Sequence, residues 1–199
     1  LPQDILLEGI KQMVIKIKNF TSEFEKSMKE VLTLLPEAGA ETFGELSNQV
    51  KNFSKEFGVL PKEVVPSLYQ ALSAGVPQDN VFEFLEVAQR AAKGGVTDLQ
   101  TAVDGISSVV NSYGEDVISA AEASDLMFTA VKLGKTDFNQ LSNSMFNVAP
   151  IAASMGIEFS EVTASLANLT AKGVPTSVAA TQLKAAFAEL GKEGTKASD

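Results

Sequence analysis

Gly-Val-Pro occurs twice in this chain, at Gly75-Val76-Pro77 and at Gly173-Val174-Pro175. A glycine ends a helix by entering the left-handed region, and a proline close behind it cannot continue that helix. The pair therefore punctuates a helical chain sharply. It belongs to a wider rhythm. Gly58, Gly94-Gly95, Gly114, Gly134, Gly156 and Gly191 separate segments that each carry apolar residues at helical spacing. Gly95, Gly134 and Gly173 stand 39 residues apart. Gly58 and Gly75 are 17 apart, as are Gly156 and Gly173. Within those two spans Val64, Leu68 and Leu72 answer Val162, Leu166 and Thr170.

A period near forty residues with two helices per period is that of helix-hairpin repeats. Each hairpin would bury one face on the next, giving an elongated or gently curved stack. Any bundle of glycine-capped helices shows some regular spacing. The Gly-Val-Pro match and the paired Thr97-Asp98 and Thr136-Asp137 weigh against coincidence.

Starts are marked as clearly as stops. Thr42-Phe43-Gly44-Glu45 and Ser119-Ala120-Ala121-Glu122 have the spacing of capping boxes, and Thr97-Asp98, Thr136-Asp137, Ser160 and Thr176 supply caps at other starts. The spacing predicts helices over 43–57, 62–74, 80–93, 98–112, 119–133, 137–155, 160–172 and 176–190. Short connections favour antiparallel neighbours. Runs of alternating Ile, Val and Thr are absent, so no sheet is expected. The fold class is all-α: stacked antiparallel helical hairpins preceded by a long amphipathic helix.

That first helix spans 4–35. Ile10, Met13, Ile17, Phe20, Phe24, Met28, Val31 and Leu35 recur in steps of three and four, while lysines and glutamates fill the other faces. The stripe approaches a heptad repeat over the shortest length that supports a coiled coil. It fits an ordinary amphipathic helix packed on its own domain. It also fits a self-association seam built on Ile10, Met13, Ile17, Phe20 and Phe24. The pattern does not separate the two. Pro36 and Gly39 break the helix, which divides the chain into a long helix at 1–36, a helical-hairpin domain at 37–191 and a flexible tail at 192–199.

Composition removes several function classes. There is no Cys and no His, so thiolate chemistry, Ser–His and Cys–His nucleophiles, and imidazole metal sites have no residues to use. A net charge of −9 disfavours nucleic acid and anionic membranes. Arg90 is the single arginine. Glu83 with Glu86, and Glu122 with Asp125, are carboxylate pairs at helical spacing, better read as solvated faces than as acid–base or cation sites. No catalytic, cofactor or metal residues are assigned. From 138 to 157 there is no charged residue. Seven Asn, Gln and Ser side chains and Pro150 argue against a membrane span there and for a helix buried in the stack. The chain begins at Leu1 with no signal pattern after it, so a segment of a longer protein is expected.

The order of several short stretches carries a family resemblance. These are Lys55-Glu56-Phe57-Gly58, Ser67-Leu68-Tyr69-Gln70-Ala71-Leu72, Ala88-Gln89-Arg90-Ala91-Ala92, Asp98-Leu99, Tyr113-Gly114, Ala121-Glu122-Ala123-Ser124-Asp125-Leu126-Met127, Met155-Gly156-Ile157, Ala167-Asn168-Leu169-Thr170-Ala171-Lys172-Gly173-Val174 and Ala179-Ala180-Thr181-Gln182-Leu183-Lys184. In this order, over about 38–190, they resemble the conserved N-terminal helical domain of phage tail tape measure proteins. Family members often carry Gly near Ala179-Ala180, where this chain has Ala.

The resemblance implies a structural protein: an internal rod of the tail, in phage or prophage, whose length sets tail length and which leaves on DNA delivery. It implies homo-oligomers, tail assembly chaperones, tail tube subunits and baseplate or initiator proteins as partners. The location it implies is the virion tail interior, with assembly in the host cytoplasm. No enzyme activity, cofactor or membrane span is expected. A cellular helical-repeat adaptor that binds peptides or helices is the alternative, and a contiguous apolar groove would favour it. An enzyme working with carboxylates alone is a distant third.

Overall fold

The computed structural model describes residues 2–35 and 39–192. Among them the ordered elements are helices and short turns, with no strand. In chain order these are α1 (Pro2–Leu32), α2 (Ala40–Phe57), α3 (Pro61–Ser73), α4 (Val81–Gly94), α5 (Leu99–Tyr113), α6 (Ala120–Leu133), α7 (Phe138–Ser154), α8 (Phe159–Ala171) and α9 (Thr176–Leu190). A single 3-10 turn, Gln78–Asn80, leads into α4. The all-α expectation is met. The predicted break at Pro36 and most of the predicted tail lie outside the described residues, so the junctions at 36/37 and 191/192 fall on or beside them.

Packing gathers into two compact units, Leu1–Tyr69 and Gln70–Asp199, dividing inside α3. In the first, α2 buries Leu46, Val50 and Phe53, and the end of α1 buries Met28 and Val31. α3 begins on Pro61, where a missing amide costs nothing and the fixed φ suits a helix.

In the second unit the helices form two rows. α4, α6 and α8 pack in succession, and so do α5, α7 and α9. Cross-links fix the register. The Asn139 amide donates to Thr97 Oγ1 at 2.9 Å, joining the starts of α7 and α5. Thr136 and Thr176 share a 2.6 Å hydroxyl bond, and Lys184 Nζ donates to Asn147 Oδ1 at 3.2 Å, so α7 and α9 run the same way. In the other row the Lys135 amide donates to Thr170 Oγ1 at 3.3 Å. Each step along a row advances one hairpin, close to the 39-residue spacing of the glycines.

The Gly-Val-Pro echo is geometric. Gly75 and Gly173 both have φ +93. At both ends the glycine amide bonds three residues back, Gly75 to Leu72 and Gly173 to Thr170, and the following valine bonds five back, Val76 to Ala71 and Val174 to Leu169. Pro77 and Pro175 share φ −58 and ψ 142. The even triplet is less uniform. Gly134 has extended backbone and is needed because an added Cβ would lie 2.9 Å from Ala167 Cα. At Gly95 a Cβ would lie 2.5 Å from that of Phe138. The left-handed residue at the end of α4 is instead the next one, Val96, at φ 52.

Three expected caps are corrected. α2 starts earlier, at Gly39, with no side-chain cap, so Thr42 lies within its first turn. α8 starts after Glu158, and the Ser160 hydroxyl donates to Glu158 Oε2 at 3.2 Å. α9 is entered from Pro175. Thr176 is buried and spends its hydroxyl on Thr136 and Gln140. A part-buried bond along the row displaced the local one. The other predicted caps hold: Asp98 accepts from the Thr101 amide, Asp137 from Gln140, and Ser119 with Glu122 forms the capping box.

Candidate assembly surface

α1 changes character along its length. Met28 and Val31 are fully buried. Phe24 is half-buried, stacks on Phe20 at 6.5 Å, and has Lys51 Nζ 5.7 Å from its ring centre. Before it the stripe is open: Ile10 is 49% exposed, Met13 62%, Ile17 57% and Phe20 50%. Ile5, Leu6, Leu7, Val14 and Ile15 are exposed as well. Apolar exposure of this extent on one helix is more than scattered surface residues and marks an interaction site. One stretch of this part of α1 carries charge of a single sign. From Gly9 to Ser22 the charged residues are Lys11, Lys16 and Lys18, with no acid among them.

The second unit carries a concave counterpart. Between α4 and α6 lie two adjoining cavities of about 430 and 450 Å³ that share Glu83, Val87 and Ala121. Together they form a trough along both helices. Its floor is apolar, with Val76, Phe84, Val87, Val110 and Ala121, and with Phe128 farther along. Its rim is acidic: Glu83, Glu86, Glu115 and Asp125 face one base, Arg90, whose guanidinium sits 3.6 Å from Glu86. The sequence reading placed Glu83, Glu86 and Asp125 on solvated faces. It missed that two helices bring them to one groove, since no local signal records the gap between helices. Glu122 stays apart in its capping box, where hydrogen bonds from the Ser119 amide and hydroxyl hold its carboxyl below the ordinary value.

The remaining perturbed groups are structural. Burial raises the Tyr113 hydroxyl to about 12, and the Glu161 charge adds to this. That hydroxyl donates to the Ile157 carbonyl at 3.0 Å and ties the end of α5 to the turn before α8. Burial works against ionisation of Asp98, but bonds from the Thr101 amide and hydroxyl hold its carboxyl below the usual value. Among the described residues no three His, Cys, Asp or Glu side chains gather to hold a metal ion. No described helix is long and apolar enough to cross a membrane.

The family model described as phage-related minor tail protein matches residues 47–199, which takes in most of α2 and every later helix. The chain belongs to that family. It is a structural component of a phage tail. Among curated relatives, a probable tape measure protein of Clostridium phage phiCD119 is 34% identical over 197 residues, 97% of this chain and 21% of the relative. The tape measure protein of Pneumococcus phage Dp-1 is 26% identical over 187 residues, 94% of this chain and 16% of the relative. The chain thus spans about a fifth or less of the length of either. No solved structure matches it.

Proposed function

We propose that the chain is the helical domain of a tape measure protein, which sets tail length during assembly and is released when DNA is delivered. The observation that carries this is the reach of the two similarities. Both cover nearly the whole chain, α1 included, and both relatives are named as tape measure proteins. The helical-repeat adaptor is not favoured, because the trough it would use lies in a tail-protein domain. The protein works without catalysis, in the tail interior, after assembly in the host cytoplasm.

Its partners are further copies of itself, assembly chaperones, tail tube subunits and the baseplate or initiator. Self-association uses the exposed stripe of α1, with Ile10, Met13, Ile17 and Phe20 as anchors and Phe24 at its margin. The test is made in the intact phage. In-frame deletion of helical segments outside this domain should shorten the tail in proportion, by about 1.5 Å per helical residue, as measured by electron microscopy. Tails of unchanged length would overturn the reading.

A further inference from the structure

We infer that the basic, apolar stretch Gly9–Ser22 of α1 docks as a helix into the acidic trough between α4 and α6 of a second copy. This rests on the self-association reading and names the surface that α1 meets. Helix and trough are complementary in shape and charge. Ile10, Met13, Ile17 and Phe20 recur in steps of three, four and three, which is the anchor pattern of a helix lying in a groove. The 14 residues of α4 give the trough about 21 Å of length, and eleven helical residues from Ile10 to Phe20 need about 16 Å. Lys11, Lys16 and Lys18 flank the anchors, with no acid between Gly9 and Ser22. Glu83, Glu115 and Asp125 rim the trough, and the one base there, Arg90, is engaged by Glu86.

Trough and helix are different surfaces, so the contact is heterologous. Each copy that docks its α1 still offers a trough, and copies add head to tail. An α1–α1 seam would instead place lysines against lysines, which costs free energy wherever they face each other.

The experiment is sedimentation velocity on the whole chain over a range of concentrations, at about 0.05 M and about 0.5 M NaCl. The parent should associate as concentration rises, at least about tenfold more weakly in the higher salt. Two charge-reversed variants decide the surface. One carries Lys11→Glu, Lys16→Glu and Lys18→Glu; the other carries Glu83→Lys, Glu115→Lys and Asp125→Lys. All six positions are exposed, and circular dichroism should show unchanged helix content. Each variant alone should be monomeric, and a one-to-one mixture should associate like the parent. A trough-reversed variant that assembles as the parent does would overturn the inference and leave self-association through α1 standing. A mixture that stays monomeric, or association unaffected by salt, would also overturn it. A parent that is monomeric at every concentration would sink the self-association reading and this inference with it.

Discussion

α1 and α7 are both rich in apolar residues, yet they live in opposite surroundings. α7 has no charged residue and is packed on one side by α5 and on the other by α9. Phe138, Leu141, Met145, Val148, Ala149 and Ala152 are all fully buried along it. α1 interleaves its apolar stripe with lysines and glutamates, and its first half stays open. The difference lies in how many faces find a partner. The sides of α7 that meet α5 and α9 leave no place for an unpaired charge, and its exposed positions, Asn139, Asn143 and Phe146 among them, are uncharged as well. A helix left open keeps charges among its apolar residues, and those residues wait for a partner.

The sharpest way to break the comparison is to truncate one residue in each helix. Leu141→Ala should cost about 3 kcal/mol of unfolding free energy, whereas Ile17→Ala in dilute protein should change it by less than about 0.5 kcal/mol. Chemical denaturation of both variants measures this, and similar losses would end the contrast. Next in size is the spacing of α7 from its neighbour. A Cβ at Gly105 would sit 2.6 Å from Ser142 Cα, a backbone atom that cannot swing away. Gly105→Ala should therefore destabilise by about 2 kcal/mol, as overpacking does. A neutral result would show that α5 and α7 can move apart at no cost.

Smaller effects belong to the helix ends. Val96 is almost fully exposed and left-handed at φ 52, a conformation that is costly for a β-branched residue. Val96→Gly should raise stability by about 0.5–1 kcal/mol, read as an increase in the denaturation midpoint. A drop would show that the valine side chain is held by something of value. The smallest effect is a pH dependence. Glu122 and Asp98 have folded-state values below 4.5 and 3.8 respectively. Their contribution is present above those values and is lost as pH falls through the depressed ones. Ser119→Ala should lower the melting temperature at neutral pH, and its gap to the parent should narrow below pH 4.5. A gap that stays constant would mean the capping box contributes through the hydroxyl alone.

Much of the fold was legible because helix punctuation is local. Asp98, Asp137 and the Ser119–Glu122 box are written within four residues of the amides they serve, and each formed as expected. Thr176 and Ser160 have the same local signature and did not cap. In Thr176 the competing partners come from Thr136 and Gln140, roughly forty residues away, beyond the reach of any short window. The stripe of α1 was legible as a stripe, with its two fates left open. The trough was not legible at all, because it is a gap between two helices.

From its own residues the chain determined that it is helical, where nearly every helix stops, and that a hairpin repeats near forty residues. These outcomes rest on backbone hydrogen bonding, glycine and proline sterics and apolar periodicity, all of which act over one or two turns. Tertiary structure decided the rest. It paired helices with their second neighbours, gave Gly95 and Gly134 a packing role and Gly173 a left-handed one, and moved the strained residue to Val96. It also closed α7 on both sides while leaving the first half of α1 open. Burial is non-directional, and it becomes specific only when two surfaces distant in sequence meet and their shapes compete for the same space.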